Sequence, residues 1–82
     1  MENKIQTIFF SATQALQQND FSTAEKLFLE ILQKDPQHLD SNQLLGIVYG
    51  KQGRFDEGEK YLRKVIKILP VFMKLRVGMT NL

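Results

Sequence analysis

Eighty-two residues allow one domain, near the lower limit of what folds without a disulfide or metal staple. The chain has no cysteine, a formal charge of +2 and 43% hydrophobic residues, which excludes a disulfide framework, a cysteine-ligated metal and a disordered polyelectrolyte. No apolar run approaches the roughly 18–20 residues that span a bilayer, and Ile8-Phe9-Phe10 is too short for a signal-peptide core, so a cytoplasmic chain is expected.

The first predicted helix runs from about Asn3 to Gln18. Ile5, Ile8, Phe9, Ala12, Ala15 and Leu16 recur at i, i+3, i+4 and i+7, the period of an amphipathic helix. Asn19-Asp20 supplies a turn. A second helix is expected from Ser22, where Ser22 and Glu25 have the spacing of a capping box. Its apolar face is Ala24, Leu27, Phe28, Ile31 and Leu32, and Asp35-Pro36 stops it, because a residue before proline is pushed out of the helical region.

A third helix is predicted over about Leu39 to Gln52, with Leu44, Leu45, Ile47, Val48 and Tyr49 as its apolar residues. Gly53 then provides the left-handed position that commonly closes a helix. The fourth opens with Asp56 and Glu59, a second capping-box spacing, and buries Tyr61, Leu62, Val65, Ile66 and Leu69 before Pro70. Acidic residues at its start and Lys64 and Lys67 near its end complement the helix dipole. From Val71 to Leu82 the chain is mostly apolar, and a weakly specified fifth helical segment is expected, since Gly78 and Thr80-Asn81 are poor helix formers. No stretch alternates with period two, so an all-α chain is expected.

The two halves overlay. Phe21 and Phe55 stand 34 residues apart, and so do Pro36 and Pro70. In the same register Leu27 falls on Tyr61, Phe28 on Leu62, Ile31 on Val65, Ala24 on Gly58 and Asn19 on Gly53. Each unit reads as a helical hairpin that buries its apolar faces by stacking on its neighbour. Small residues at Ala12, Ala24, Gly46 and Gly58 mark places where helix backbones come close, although a glycine inside a helix costs about 1 kcal/mol against alanine.

The pattern resembles the tetratricopeptide repeat, whose signature runs W-x2-L-G-x2-Y, then A-x3-F, then P over about 34 residues. The second unit matches at Leu45-Gly46 and Tyr49, has Gly58-x3-Leu62 in the A-x3-F place, and carries Asn42 where the signature has tryptophan. The first unit supplies Ala24-x3-Phe28 and Pro36, but its leading helix has Ile8, Ser11, Ala12 and Ala15 where W, L, G and Y would fall. The resemblance implies a superhelix of stacked antiparallel helical hairpins forming one domain over residues 1–82. The first repeat would occupy about 5–38, the second about 39–72, and a capping or truncated-repeat segment 73–82.

What the resemblance implies about function is non-catalytic protein–protein interaction, as a scaffold, adaptor or co-chaperone-like module. In the family the leading helices line a concave groove that takes a peptide or a helix. The matching positions are Gln6, Phe9, Thr13, Leu16 and Gln17 in the first unit, and Asp40, Gln43, Ile47, Gly50 and Lys51 in the second. A solvated inner face with stray apolar residues is the plain alternative. The family's clamp for C-terminal carboxylates maps onto Phe9, Thr13, Leu44, Lys74 and Gly78; only Lys74 suits that task, so no such clamp is expected.

Other chemistry is sparse. His38 is the single histidine and reads as a surface or cap residue. No catalytic residue, metal site or cofactor is expected. Every charged residue after Glu59 is basic, and Lys60, Lys64 and Lys67 share one face of the fourth helix with Arg63 beside them. This stripe suits phosphate or nucleic acid, yet it has no interleaved aromatic residues for base stacking, and a solvated face paired with Asp56, Glu57 and Glu59 is favoured. The apolar segment, through Phe72, Met73, Leu75, Val77, Met79 and Leu82, suggests a homo-oligomer or truncation of a longer array. Two further alternatives are an appendage of a larger enzyme, such as a transferase, and a nucleic-acid module using the basic end.

Overall fold

In the computed structural model, which describes residues 4–69, four helices follow one another: α1 (Lys4–Gln17), α2 (Phe21–Lys34), α3 (Leu39–Lys51) and α4 (Phe55–Ile68). No strand occurs among the described residues. Short turns make α1–α2 and α3–α4 antiparallel hairpins, and α2 packs on α3 to stack one hairpin on the other. The fold is the all-α stack of helical hairpins expected from the offset.

The two hairpin turns are built alike. Asn19 (φ 61°) and Gly53 (φ 77°) both adopt the left-handed conformation. After them the amide of Asp20 donates to the Ala15 carbonyl at 2.8 Å, and the amide of Arg54 to the Tyr49 carbonyl at 2.8 Å. This left-handed closure satisfies carbonyls that the helix end leaves without partners. Glycine adopts it at no steric cost, and asparagine is the side chain that tolerates it best.

The helix starts differ from expectation. A left-handed turn of one residue brings the chain into α2 at once, so Asp20 caps it. Its carboxylate accepts from the Thr23 amide at 3.3 Å. Ser22 lies inside the first turn and forms no capping box with Glu25, whose carboxylate is engaged elsewhere. In α4 the cap position is Arg54, which makes no side-chain cap bond. Asp56 and Glu57 fall in the first turn and complement the dipole, while Glu59 pairs with Arg63 at 2.8 Å. Both ends before proline behave as the sequence predicts: Asp35 and Leu69 leave the helical region, Leu69 with ψ 143°.

The core runs through both hairpins. Ala12, Ala24, Phe28, Ile31, Leu45 and Val48 are fully buried, with Ala15, Leu32 and Tyr49 nearly so. Each large apolar side chain among them contributes roughly 1.5–3 kcal/mol by leaving water. Between α3 and α4 the backbones nearly touch. A Cβ on Gly58 would lie 2.8 Å from the Gly46 carbonyl oxygen, and one on Gly46 only 2.7 Å from Leu62 Cγ. Gly58 is the one buried residue of α4. The apolar segment expected to self-associate, Phe72 to Leu82, lies outside the described residues, as does the predicted fifth helix.

Candidate functional site

The groove positions come from α1 and α3, whose helical register carries them along matching faces. Gln6 and Gln17 on α1 are exposed, as are Asp40, Gln43, Ile47 and Lys51 on α3; Ile47 is the large apolar residue among them, 37% exposed. Phe9 and Leu16 are half-buried and pack against the core. The Phe9 ring meets Phe28 edge-on, with centroids 5.9 Å apart, and sits 5.5 Å from the His38 ring. Thr13 is half-buried and its hydroxyl donates to the Phe10 carbonyl at 2.8 Å. The exposed members of this set are amides, a carboxylate, a lysine and one isoleucine, while Phe9 and Leu16 pack against the core.

The join between hairpins is held by two polar devices. His38 caps α3, with Nδ1 accepting from the Ser41 amide at 3.2 Å. Asn42, fully buried where the signature would have tryptophan, donates from Nδ2 to the carbonyls of Pro36 (3.1 Å) and His38 (2.9 Å). A side chain that bonds to the connector replaces one that would fill volume.

The second device spans the hairpins. The Tyr49 hydroxyl donates to Glu25 Oε2 at 2.9 Å, and Arg54 Nη1 donates to Glu25 Oε1 at 3.0 Å. Arg54 also makes two parallel bonds to Glu57, each 2.8 Å, and lies over the Tyr49 ring, 4.5 Å from its centroid. Tyr49 in turn stacks on Tyr61 at 5.8 Å. Burial first, then its bond to Glu25, raises the Tyr49 hydroxyl well above the ordinary tyrosine value. The Arg54 hydrogen bonds hold Glu57 below the usual carboxylate range. Sequence reading missed this cluster. Its partners are 24 and 29 residues from Glu25, so no spacing on one helix announces it.

The basic stripe is mixed in sign. Lys60, Arg63, Lys64 and Lys67 line a surface depression of about 430 Å³ together with Asp56 and Glu59. Arg63 is paired with Glu59, and the ammonium groups of Lys60 and Lys64 both lie 5.6 Å from the centre of the Tyr61 ring. Among the described residues, no cluster of three or more His, Cys, Asp or Glu is placed to hold a metal. No described helix is long and apolar enough to cross a membrane.

A family model for the tetratricopeptide repeat matches residues 15–71. The chain belongs to the tetratricopeptide-repeat family. The match begins late in α1 and leaves out Ile8, Ser11 and Ala12, the residues standing where the repeat signature has W, L and G. Over 57 residues the chain is 30% identical to the transcription factor tau 131 kDa subunit of Saccharomyces cerevisiae. The overlap takes in 70% of this chain and 6% of that protein. Tetratricopeptide-repeat domains generally bind other proteins and are typically non-catalytic, and the stacked hairpins here have the architecture that serves that use.

Proposed function

We propose that this chain is a non-catalytic, cytoplasmic protein-interaction module, a scaffold or adaptor that docks an extended peptide or a helix along the face shared by α1 and α3. The observation that carries the reading is Ile47, exposed on α3 amid Gln43 and Lys51 and in register with Thr13 between Gln6 and Gln17 on α1. An isolated apolar anchor among amides suits a peptide: the apolar side chain supplies binding energy and the amides pair with its backbone. The mixed charge on α4, with Arg63 already paired, favours a protein partner over nucleic acid.

Peptides selected from a random display library supply the test. Their amide-shift changes are expected at Gln6, Thr13, Gln17, Gln43, Ile47 and Lys51, and Ile47→Glu is expected to weaken them at least ~10-fold with little change in melting temperature. Selected peptides that bind equally well to Ile47→Glu would sink the groove.

A second reading is self-association through Phe72, Met73, Leu75, Val77, Met79 and Leu82. It is favoured by the apolar face that α4 leaves open, where Phe55, Leu62 and Ile66 are exposed. Molar mass in solution is expected to exceed the monomer value for the intact chain and to fall to it for a chain ending at Pro70. A monomer in both cases removes this reading and leaves the groove standing.

A further inference from the structure

The offset between hairpins separates what α2 and α4 share from what α4 has alone. Where α4 carries Lys60, Arg63, Lys64 and Lys67, α2 carries Lys26, Leu29, Glu30 and Gln33. Stacking of the hairpins therefore does not require this basic stripe. On α2 the pair at i, i+4 is Lys26 and Glu30, of opposite sign. On α4 it is Lys60 and Lys64, and Arg63 and Lys67 repeat the spacing. Like charges one turn apart repel and weaken a helix. The later helix gives up stability that the earlier one keeps, as surfaces shaped for binding often do.

The acids of α4 do not cancel these charges. Glu59 takes Arg63, and Glu57, whose charge reaches Lys60, is held by two bonds from Arg54. Among the described residues no carboxylate forms an ion pair with Lys60 or Lys64. Both ammonium groups are drawn instead to the Tyr61 ring, 5.6 Å from its centre. One ring thus positions two cations, and Lys64 is half-buried. A partly desolvated ammonium without a counter-charge is unfavourable, and an anion brought to the two lysines relieves that deficit and their mutual repulsion together.

We propose that this face of α4 docks an acidic segment of a partner protein, with carboxylates seated on Lys60 and Lys64. Two observations set the class of partner. Asp56 and Glu59 line the same depression and repel a uniformly charged phosphate backbone, whereas a peptide can place neutral or basic residues opposite them. The Tyr61 ring, stacked on Tyr49 and engaged by two ammonium groups, is not open for base stacking. Residues four apart on a helix stand about 6 Å apart along its axis, and alternate residues of an extended chain about 6.6 Å, so carboxylates at alternate positions match the two lysines. The inference uses α4 alone and does not rest on the groove of α1 and α3.

An end-blocked peptide of alternating glutamate and serine, titrated into the isotopically labelled full chain at low ionic strength, tests it. Amide shifts are expected at Lys60, Arg63 and Lys64, and Lys60→Gln with Lys64→Gln is expected to weaken the peptide at least ~5-fold. Lys26→Gln with Lys34→Gln removes the same charge from α2 and is expected to weaken it less than about 2-fold. Melting temperature is expected to stay within about 2 °C of the parent in both variants. Equal weakening by the two pairs would mean that net charge alone attracts the peptide, and equal shifts from a glutamine–serine peptide would mean that its carboxylates are idle. A single-stranded oligonucleotide of the same charge that binds more tightly, and loses its affinity with Lys60 and Lys64, would assign the face to nucleic acid. Each of these three results overturns the proposal.

Discussion

Gly46→Leu is expected to lower stability by about 3 kcal/mol, a drop of roughly 15 °C in melting temperature for a domain of this size. The reason lies in the contact between α3 and α4, where even a Cβ at Gly46 would stand 2.7 Å from Leu62 Cγ and 3.1 Å from the Gly58 carbonyl oxygen. A leucine needs space that only a separation of the two helices provides. The facing glycine gives a sharper contrast with a smaller change. A Cβ on Gly58 meets the Gly46 carbonyl at 2.8 Å, and backbone does not move aside cheaply. Gly58→Ala is therefore expected to destabilise by about 1 kcal/mol, even though alanine gains about 1 kcal/mol in helix propensity. At Gly46 alanine meets chiefly the Leu62 side chain, which is 42% exposed and free to rotate outward, so Gly46→Ala is expected near neutral. Gly50, with nothing within 4 Å of an added Cβ, is the control: Gly50→Ala is expected to stabilise by about 0.5–1 kcal/mol. Thermal melts of the four variants check the ordering, and a Gly46→Leu protein that melts with the parent would remove the packing argument.

Glu25→Ala is expected to cost about 2 kcal/mol in chemical denaturation, because two bonds between hairpins end together. The ion pair with Arg54 accounts for the smaller share, since the arginine is 38% exposed and keeps Glu57 as a partner. The larger share is the Tyr49 hydroxyl, left without its acceptor in a residue only 4% exposed. Tyr49→Phe in the Glu25→Ala background is then expected to cost less than Tyr49→Phe alone, with a coupling of about 1 kcal/mol. Strict additivity would mean that the hydroxyl and the carboxylate act independently. The cluster also sets an alkaline limit. The folded tyrosine titrates above its unfolded value of about 10, so its contribution is complete below about pH 10 and is lost as the pH rises toward the folded value. Tyr49→Phe is expected to flatten that part of the stability profile. Glu57 has the opposite sign: its lowered value makes its contribution present at neutral pH and lost in acid.

Much of the fold could be read in the chain because its signals are local and occur twice. The i, i+3, i+4 spacing marked α1, apolar residues between turn and proline stops marked the other described helices, and Asn19 and Gly53 marked both turns because few residues tolerate a left-handed backbone. Gly58, a poor helix former in mid-helix, marked the close approach to Gly46. The helix starts were misjudged for a physical reason: Ser22 and Glu25 have capping-box spacing, but a one-residue turn puts Asp20 at the boundary first. The cluster around Glu25 was not legible at all, because its partners arrive only when the second hairpin stacks on the first. On the groove face, periodicity could not separate Phe9, whose ring packs on Phe28 and His38, from Ile47, whose side chain stays open to solvent.

The stacked pair Tyr49 and Tyr61 has a practical consequence. The chain has two tyrosines and no tryptophan, so its intrinsic near-ultraviolet emission is tyrosine emission from α3 and α4. Hydrogen bonding to a carboxylate quenches a phenol, and Tyr49 is bonded to Glu25 of the first hairpin. The dim fluorophore is thus an optical reporter of whether the two hairpins are docked. Its brightening on partial unfolding would mark their separation before either hairpin loses its helices.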